Sequence, residues 1–108
     1  MAGIYTIRPT GDIDAATAGP LREELLALVQ AEHPDHLVID LRDVTFMDSA
    51  GLSVLIRIRK QQMQHGGDVT VVNPIPRVNR IMKITGLDAV FAPAPATADA
   101  AADTAAGS

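Results

Sequence analysis

The chain has 108 residues, 47% of them apolar and only 3% aromatic, with no cysteine and a formal net charge of −4. One domain of this size buries a sufficient core without staples, and the missing thiols exclude disulfides, zinc–thiolate and iron–sulfur centres and thiol nucleophiles. A mildly acidic chain with one Tyr and two Phe lacks the basic footprint and the stacking residues of a nucleic-acid binder.

Ile4-Tyr5-Thr6-Ile7 reads as a short strand, broken by Pro9-Thr10-Gly11. A helix is predicted from Thr17, with Thr17 as its N-cap, Pro20 tolerated in the first turn, and Glu23 and Glu24 near the positive end of the dipole. Leu21, Leu25, Leu28 and Val29 share one face, and His33-Pro34-Asp35 ends the helix. Leu37-Val38-Ile39-Asp40-Leu41 is a near-continuous apolar run, as in a strand covered on both faces. A second helix opens around Asp48-Ser49-Ala50-Gly51, with Leu52, Leu55, Ile56, Arg59 and Met63 as its stripe and Gly66-Gly67 as its stop. Val69-Thr70-Val71-Val72 is the next strand. A Pro74–Pro76 turn leads to a third helix carrying Val78, Ile81, Met82 and Thr85, with Gly86 placed for a left-handed C-terminal cap. Ala89-Val90-Phe91 is read as a short final strand.

The order β-α-β-α-β-α-β implies crossover connections and hence an α/β fold, with a mainly parallel mixed sheet covered by helices. Residues 1–91 form the expected domain. Residues 92–108 hold nine of the 17 alanines, two prolines and no large apolar side chain, which predicts a disordered tail. No apolar run approaches the ~20 residues of a membrane helix. The N-terminus carries Arg8, Asp12 and Asp14 and no signal-peptide core, so a cytoplasmic protein without membrane contact is expected.

Little of the usual catalytic chemistry is legible. His33 and His36 are separated by Pro34, which breaks the helical spacing of a ligand pair, and His65 precedes a Gly-Gly turn. All three read as loop histidines, and no metal or cofactor is expected. Gly66-Gly67 leads into no Lys-Ser/Thr pair and is not a phosphate loop. No Ser-His-Asp constellation is apparent, and Asp40 and Asp43 read as solvated or capping acids at a strand end. The sequence does not read as an enzyme.

One step carries more. Val44-Thr45-Phe46-Met47 brings a short apolar stretch to a helix start and places Asp48 and Ser49 there. One reading is that either residue merely caps the helix, an effect of ~1 kcal/mol. The other is that a surface hydroxyl at a helix N-terminus, near free amides that favour an anion, is a site for phosphorylation.

Phe46-Met47-Asp48-Ser49-Ala50-Gly51-Leu52 resembles the signature of the anti-sigma factor antagonists, the bacterial STAS-domain proteins. Gly11-Asp12-Ile13-Asp14, followed by Thr17-Ala18 and Leu21-Arg22, resembles the same family's Gly-Glu-Leu-Asp entry into its first helix. Gly66-Gly67 through Asn73-Pro74 to Thr85-Gly86-Leu87 resembles its last strand–helix unit, so the likeness covers nearly all of residues 4–91.

The resemblance implies a protein that binds an anti-sigma factor, itself a serine kinase of the histidine-kinase-like ATPase fold, and so frees a sigma factor. Phosphorylation by that kinase ends binding, and a PP2C-type phosphatase restores it. Carried over by position, Ser49 is the phosphoacceptor, Asp14 is the acid whose carboxylate lies beside that hydroxyl, and Asp48 is the motif acid. Gly51 permits close backbone approach. Asp14, Asp48, Ser49, Ala50, Gly51 and Leu52 form the implied partner face, and the Asn73-Pro74 turn is expected at the same end of the sheet.

Two departures stand out. Ala50 replaces a serine often found there in the family, leaving Ser49 and a less accessible Ser53 as the serines of the domain. The resemblance implies a further, edge strand before the family's equivalent of Ile4–Ile7 that is expected to be missing here, and an uncovered strand edge makes homodimerisation an expectation. The alternative is a non-switching STAS adaptor subunit of a transport or stress-signalling complex. A receiver domain fits poorly, because Lys60 and Lys83 both fall in predicted helices.

Overall fold

The computed structural model describes residues 3–91, and the expected tail lies outside them. Ile4–Ile7 (β1) alternates exposed and half-buried side chains and pairs in parallel with His36–Asp40 (β3). Asp68–Val72 (β5) pairs in parallel with the other edge of β3, giving the order β1-β3-β5. Leu37, Val38, Ile39 and Asp40 are all buried, as befits a central strand covered on both faces.

Gly11–Ile13 (β2) and Val44–Met47 (β4) form a second parallel pair. All pairings among the described residues are thus parallel, where a mixed sheet was expected. Pro9-Thr10-Gly11 interrupts the first strand but does not end its course. The Gly11 amide, on a residue with φ of 81°, donates to the Asp43 carbonyl at 2.9 Å, and pairing resumes after a register slip. The Arg8–Asp43 ion pair braces this break.

Ala18–Glu32 (α1) buries Ala18, Leu25 and Val29, with Leu21 and Leu28 half-buried beside them. It ends where His33 adopts a left-handed conformation and its amide donates to Val29. Ser49–Gln64 (α2) buries Gly51, Leu52, Val54, Leu55, Ile58 and Gln62. The face built on 51, 54, 55, 58 and 62 has the spacing of the expected stripe, shifted by one residue. Ile56 and Arg59 are half-buried, and Met63 is 50% exposed. The shift is stabilised by Gln62, whose buried amide donates to the carbonyls of Pro34 and Asp68 at 3.1 Å each. Hydropathy does not register a glutamine used in this way.

Pro76–Ile84 (α3) buries Val78 and Met82 and stops at Thr85, whose hydroxyl donates to the Ile81 carbonyl at 2.8 Å. Gly86 is left-handed as expected, with φ of 76°. The expected final strand is not formed. Leu87–Ala89 is a 3-10 turn, because the Ala89 and Val90 amides find the Gly86 and Leu87 carbonyls three residues back. Leu87 and Phe91 pack against the core from there. α2 lies on β4 and β5 and against α1, while α3 lies on β4.

Candidate functional site

β2 and β4 end side by side. Ile13 is in register with Met47, and the Asp48 amide donates to the Ile13 carbonyl at 3.3 Å. Each strand is followed at once by an aspartate, and each aspartate closes a turn by the same device, Asp48 as the N-cap of α2 and Asp14 in the turn that precedes the Thr17 N-cap of α1. Asp14 Oδ1 accepts from the Ala16 amide and Asp48 Oδ1 from the Ala50 amide, both at 2.9 Å. The expected Thr17 N-cap is borne out in position. Thr17 stands at the N-cap position without capping through its side chain. Its hydroxyl donates to the Asp12 carbonyl at 2.7 Å and accepts from the Asp14 amide at 2.9 Å, so it pins the loop.

Ser49 is the first residue of α2 and is exposed. Asp48 performs the capping, and the Ser49 hydroxyl has no hydrogen-bond partner among the described residues. Of the two readings of this step, capping therefore belongs to Asp48 and leaves the serine hydroxyl free.

The other residues of the implied face divide in two. Asp14, Asp48 and Ala50 are half-buried and reach the surface around Ser49. Gly51 and Leu52 are buried, Leu52 at 6% exposure, so they set the position of α2 from beneath and present nothing to a partner. A Cβ on Gly51 would lie 2.5 Å from Met47 Cγ, 2.9 Å from Ile13 Cγ2 and 3.0 Å from the Ile13 carbonyl oxygen. Only glycine lets the first turn of α2 rest on the strand ends in this way.

One further expectation is revised, and it concerns Ser53. Asp14, next to Asp48 across the β2–β4 register, directs its carboxylate to the Ala16 and Thr17 amides of its own turn. Ser53, expected to be less accessible, is exposed one turn along from Ser49, and its hydroxyl donates to the Ser49 carbonyl at 2.9 Å. The Asn73-Pro74 turn follows the carboxyl end of β5, where Val72 is in register with Asp40, and leads into α3, which lies on β4. There Asp40 accepts from the Arg42 amide at 3.0 Å and pairs with its guanidinium at 2.8 Å. Burial pushes the Asp40 carboxyl up, but Arg42 and the Asn73 side chain outweigh it and hold the group below the usual carboxylate value.

The histidines take structural places. His33 and His65 meet edge to face at 5.7 Å, at the C-terminal ends of α1 and α2, and His36 Nε2 meets the Thr70 hydroxyl. Among the described residues no group of His, Asp and Glu is placed to hold a metal ion, and no helix is long and apolar enough to cross a membrane.

The β2–β4 pair and the turn closed by Asp14 are the parts of the site that sequence reasoning missed. The spacing Asp14-Ala15-Ala16-Thr17 is the signal that could have found the second, since an aspartate followed by small residues favours such a turn.

A family model described as STAS domain matches residues 2–101. The anti-sigma-B factor antagonist of Bacillus subtilis (strain 168) is 42% identical over 77 residues, 71% of this chain and 69% of the relative. The anti-sigma F factor antagonist of Paenibacillus polymyxa is 32% identical over 85 residues, 79% of this chain and 73% of the relative. Among solved structures, an anti-sigma factor antagonist from Mycobacterium paratuberculosis aligns with a TM-score of 0.75 at 35% identity, covering 90% of this chain and 81% of that one.

Proposed function

The chain belongs to the STAS domain family, and on that premise we propose that it is an anti-sigma factor antagonist, binding an anti-sigma factor through the surface around Ser49 and so releasing a sigma factor. The relatives named for that role support the reading. In its finer form the anti-sigma factor is a serine kinase of the ATPase fold that phosphorylates Ser49, and a PP2C-type phosphatase reverses the mark. The cytoplasm is where such a cycle operates, and residues 1–91 are the unit that carries it out.

A single observation supports the switch: the Ser49 hydroxyl is exposed at the first residue of α2 and has no hydrogen-bond partner among the described residues, because Asp48 does the capping. A phosphate there adds −1.5 to −2 charges at a helix end whose dipole tolerates them, so the fold persists while the surface changes. A hundredfold loss of affinity needs only ~2.8 kcal/mol, which desolvating a phosphate in a close interface supplies. β1 lies at the edge of its sheet with Ile4 43% exposed, and a homodimer would add a second copy there.

The test is a pull-down from the native organism, wild type beside Ser49→Glu, with partners and Ser49 phosphorylation read by mass spectrometry. Wild type alone should retrieve an ATPase-fold kinase. Equal retrieval by both forms sinks the switch and favours the non-switching adaptor.

A further inference from the structure

An open groove of about 620 Å³ runs between α1 and α2, lined on one wall by Gly19 and Arg22 and on the other by Ala50, Ser53, Arg57 and Lys60. Three of the nine Lys and Arg residues of an otherwise acidic chain line it, and no Asp or Glu does. Arg8 and Arg42 are committed to ion pairs, whereas Arg22, Arg57 and Lys60 form none among the described residues. Cations left uncompensated in a concave surface focus a positive field there.

We infer that this groove is the docking site for an acidic segment of a partner protein. Its carboxylates meet Arg22, Arg57 and Lys60, and its backbone lies over the small side chains of Gly19, Ala50 and Ser53. The inference rests on the proposed partner surface at Ser49 and deepens it, since it states what chemistry the partner brings. Ala50 belongs to both, so the groove opens beside the serine. Ser53 and Arg57 follow Ser49 at intervals of four residues, about 6 Å apart along the helix. A phosphate on Ser49 therefore repels the end of the acidic segment near Ser53, while Arg57, about 12 Å along, lies beyond the ~8 Å screening length at physiological salt. The switch then acts by charge at the mouth of the groove.

The experiment uses the full chain with a fluorescein-labelled helical Glu/Ala peptide, and its Lys/Ala counterpart as control, read by anisotropy and by amide chemical-shift mapping. The Glu peptide should bind and the Lys peptide should not, with shifts centred on Gly19, Ala50 and Ser53. Arg22→Glu with Arg57→Glu should weaken binding at least about tenfold, and Ser49→Glu several-fold, more at low salt than at high. Thermal melts establish that each variant folds, and Arg57→Gln with Lys60→Gln serves if the double reversal does not.

No binding of the Glu peptide overturns the inference, as do shifts away from the groove or an unchanged affinity in the double variant. So does full displacement by inorganic phosphate, which would make the groove a small-anion site, or preferential binding of a single-stranded oligonucleotide. The two readings fail separately. If the double variant loses the peptide while Ser49→Glu keeps the anti-sigma partner, the groove stands and the switch falls. If Ser49→Glu loses that partner while the double variant keeps both peptide and partner, the switch stands and the groove falls.

Discussion

The amide of Asp48 donates to the carbonyl of Ile13 at 3.3 Å, and that bond holds the starts of α1 and α2 side by side. Both helices leave from the carboxyl ends of a parallel strand pair, which is where open α/β sheets present their binding surfaces. The twin aspartate turns occupy this end structurally. What remains for chemistry is the hydroxyl that neither turn uses.

Asp48→Ala should therefore cost about 1 kcal/mol, the usual loss of a helix cap, whereas Asp48→Asn should cost little. Ser49→Ala should change stability by less than about 0.5 kcal/mol, as expected for a surface side chain whose hydroxyl has no partner among the described residues. Urea denaturation of the three variants checks this. A greater loss in Ser49→Ala than in Asp48→Ala would return the capping role to the serine.

Two glycines should respond in opposite directions to alanine. Gly51→Ala drives a methyl into Met47 and Ile13 and should destabilise by about 1–3 kcal/mol, because the Ile13 carbonyl cannot move aside without disturbing β2–β4. Gly19, in the first turn of α1, has open space where its Cβ would stand. Gly19→Ala should stabilise by about 0.4–1 kcal/mol through the entropy of the unfolded chain. Thermal melts of the pair, one down and one up, are the measurement.

Ser49→Glu and Ser49→Ala should separate folding from binding. Both should melt close to wild type. The Glu form should bind the anti-sigma partner about a hundredfold more weakly, a change of ~2.8 kcal/mol. The Ala form should bind like wild type and, having no acceptor, stay bound when kinase and ATP are supplied. Surface plasmon resonance with the partner immobilised distinguishes them, and equal affinities would leave Ser49 without a regulatory role.

The strongly periodic parts of the fold were legible in the sequence. The continuous Leu37–Leu41 run announces a central strand, and the helix-ending roles of Gly66 and Gly86 follow from their left-handed conformations. What escaped was set by tertiary context. β2 is three residues long and begins on glycine, so it has no period to detect, yet it positions Asp14 and supports Asp48. The buried face of α2 is one residue away from the most apolar choice because Gly51 must touch β2–β4 and Gln62 must reach Pro34 and Asp68. Ala89-Val90-Phe91 has strand composition, but local bonds from Ala89 and Val90 satisfy its backbone first. Ser49 itself was legible from its motif, whereas its lack of a hydrogen-bond partner among the described residues follows from the Asp48 turn, which no residue pattern announces.

Asp40 should govern part of the acid sensitivity of the fold. Only 5% exposed, its carboxylate is held by the Arg42 amide and guanidinium, and these with Asn73 overcome the effect of burial and depress its pKa. A carboxyl that takes up its proton less readily when folded than when unfolded stabilises the native state wherever it is ionised. That contribution is complete above about pH 5, declines as the pH falls through the unfolded value of ~3.9, and is lost below the depressed folded value. Asp40→Asn should thus cost about 2 kcal/mol at neutral pH, because it leaves Arg42 half-buried without its counter-charge. The variant should also lose less stability than wild type on acidification to about pH 3. Urea midpoints followed across that range decide the matter. A variant whose midpoint falls as steeply as that of wild type would assign the acid limb to other carboxylates.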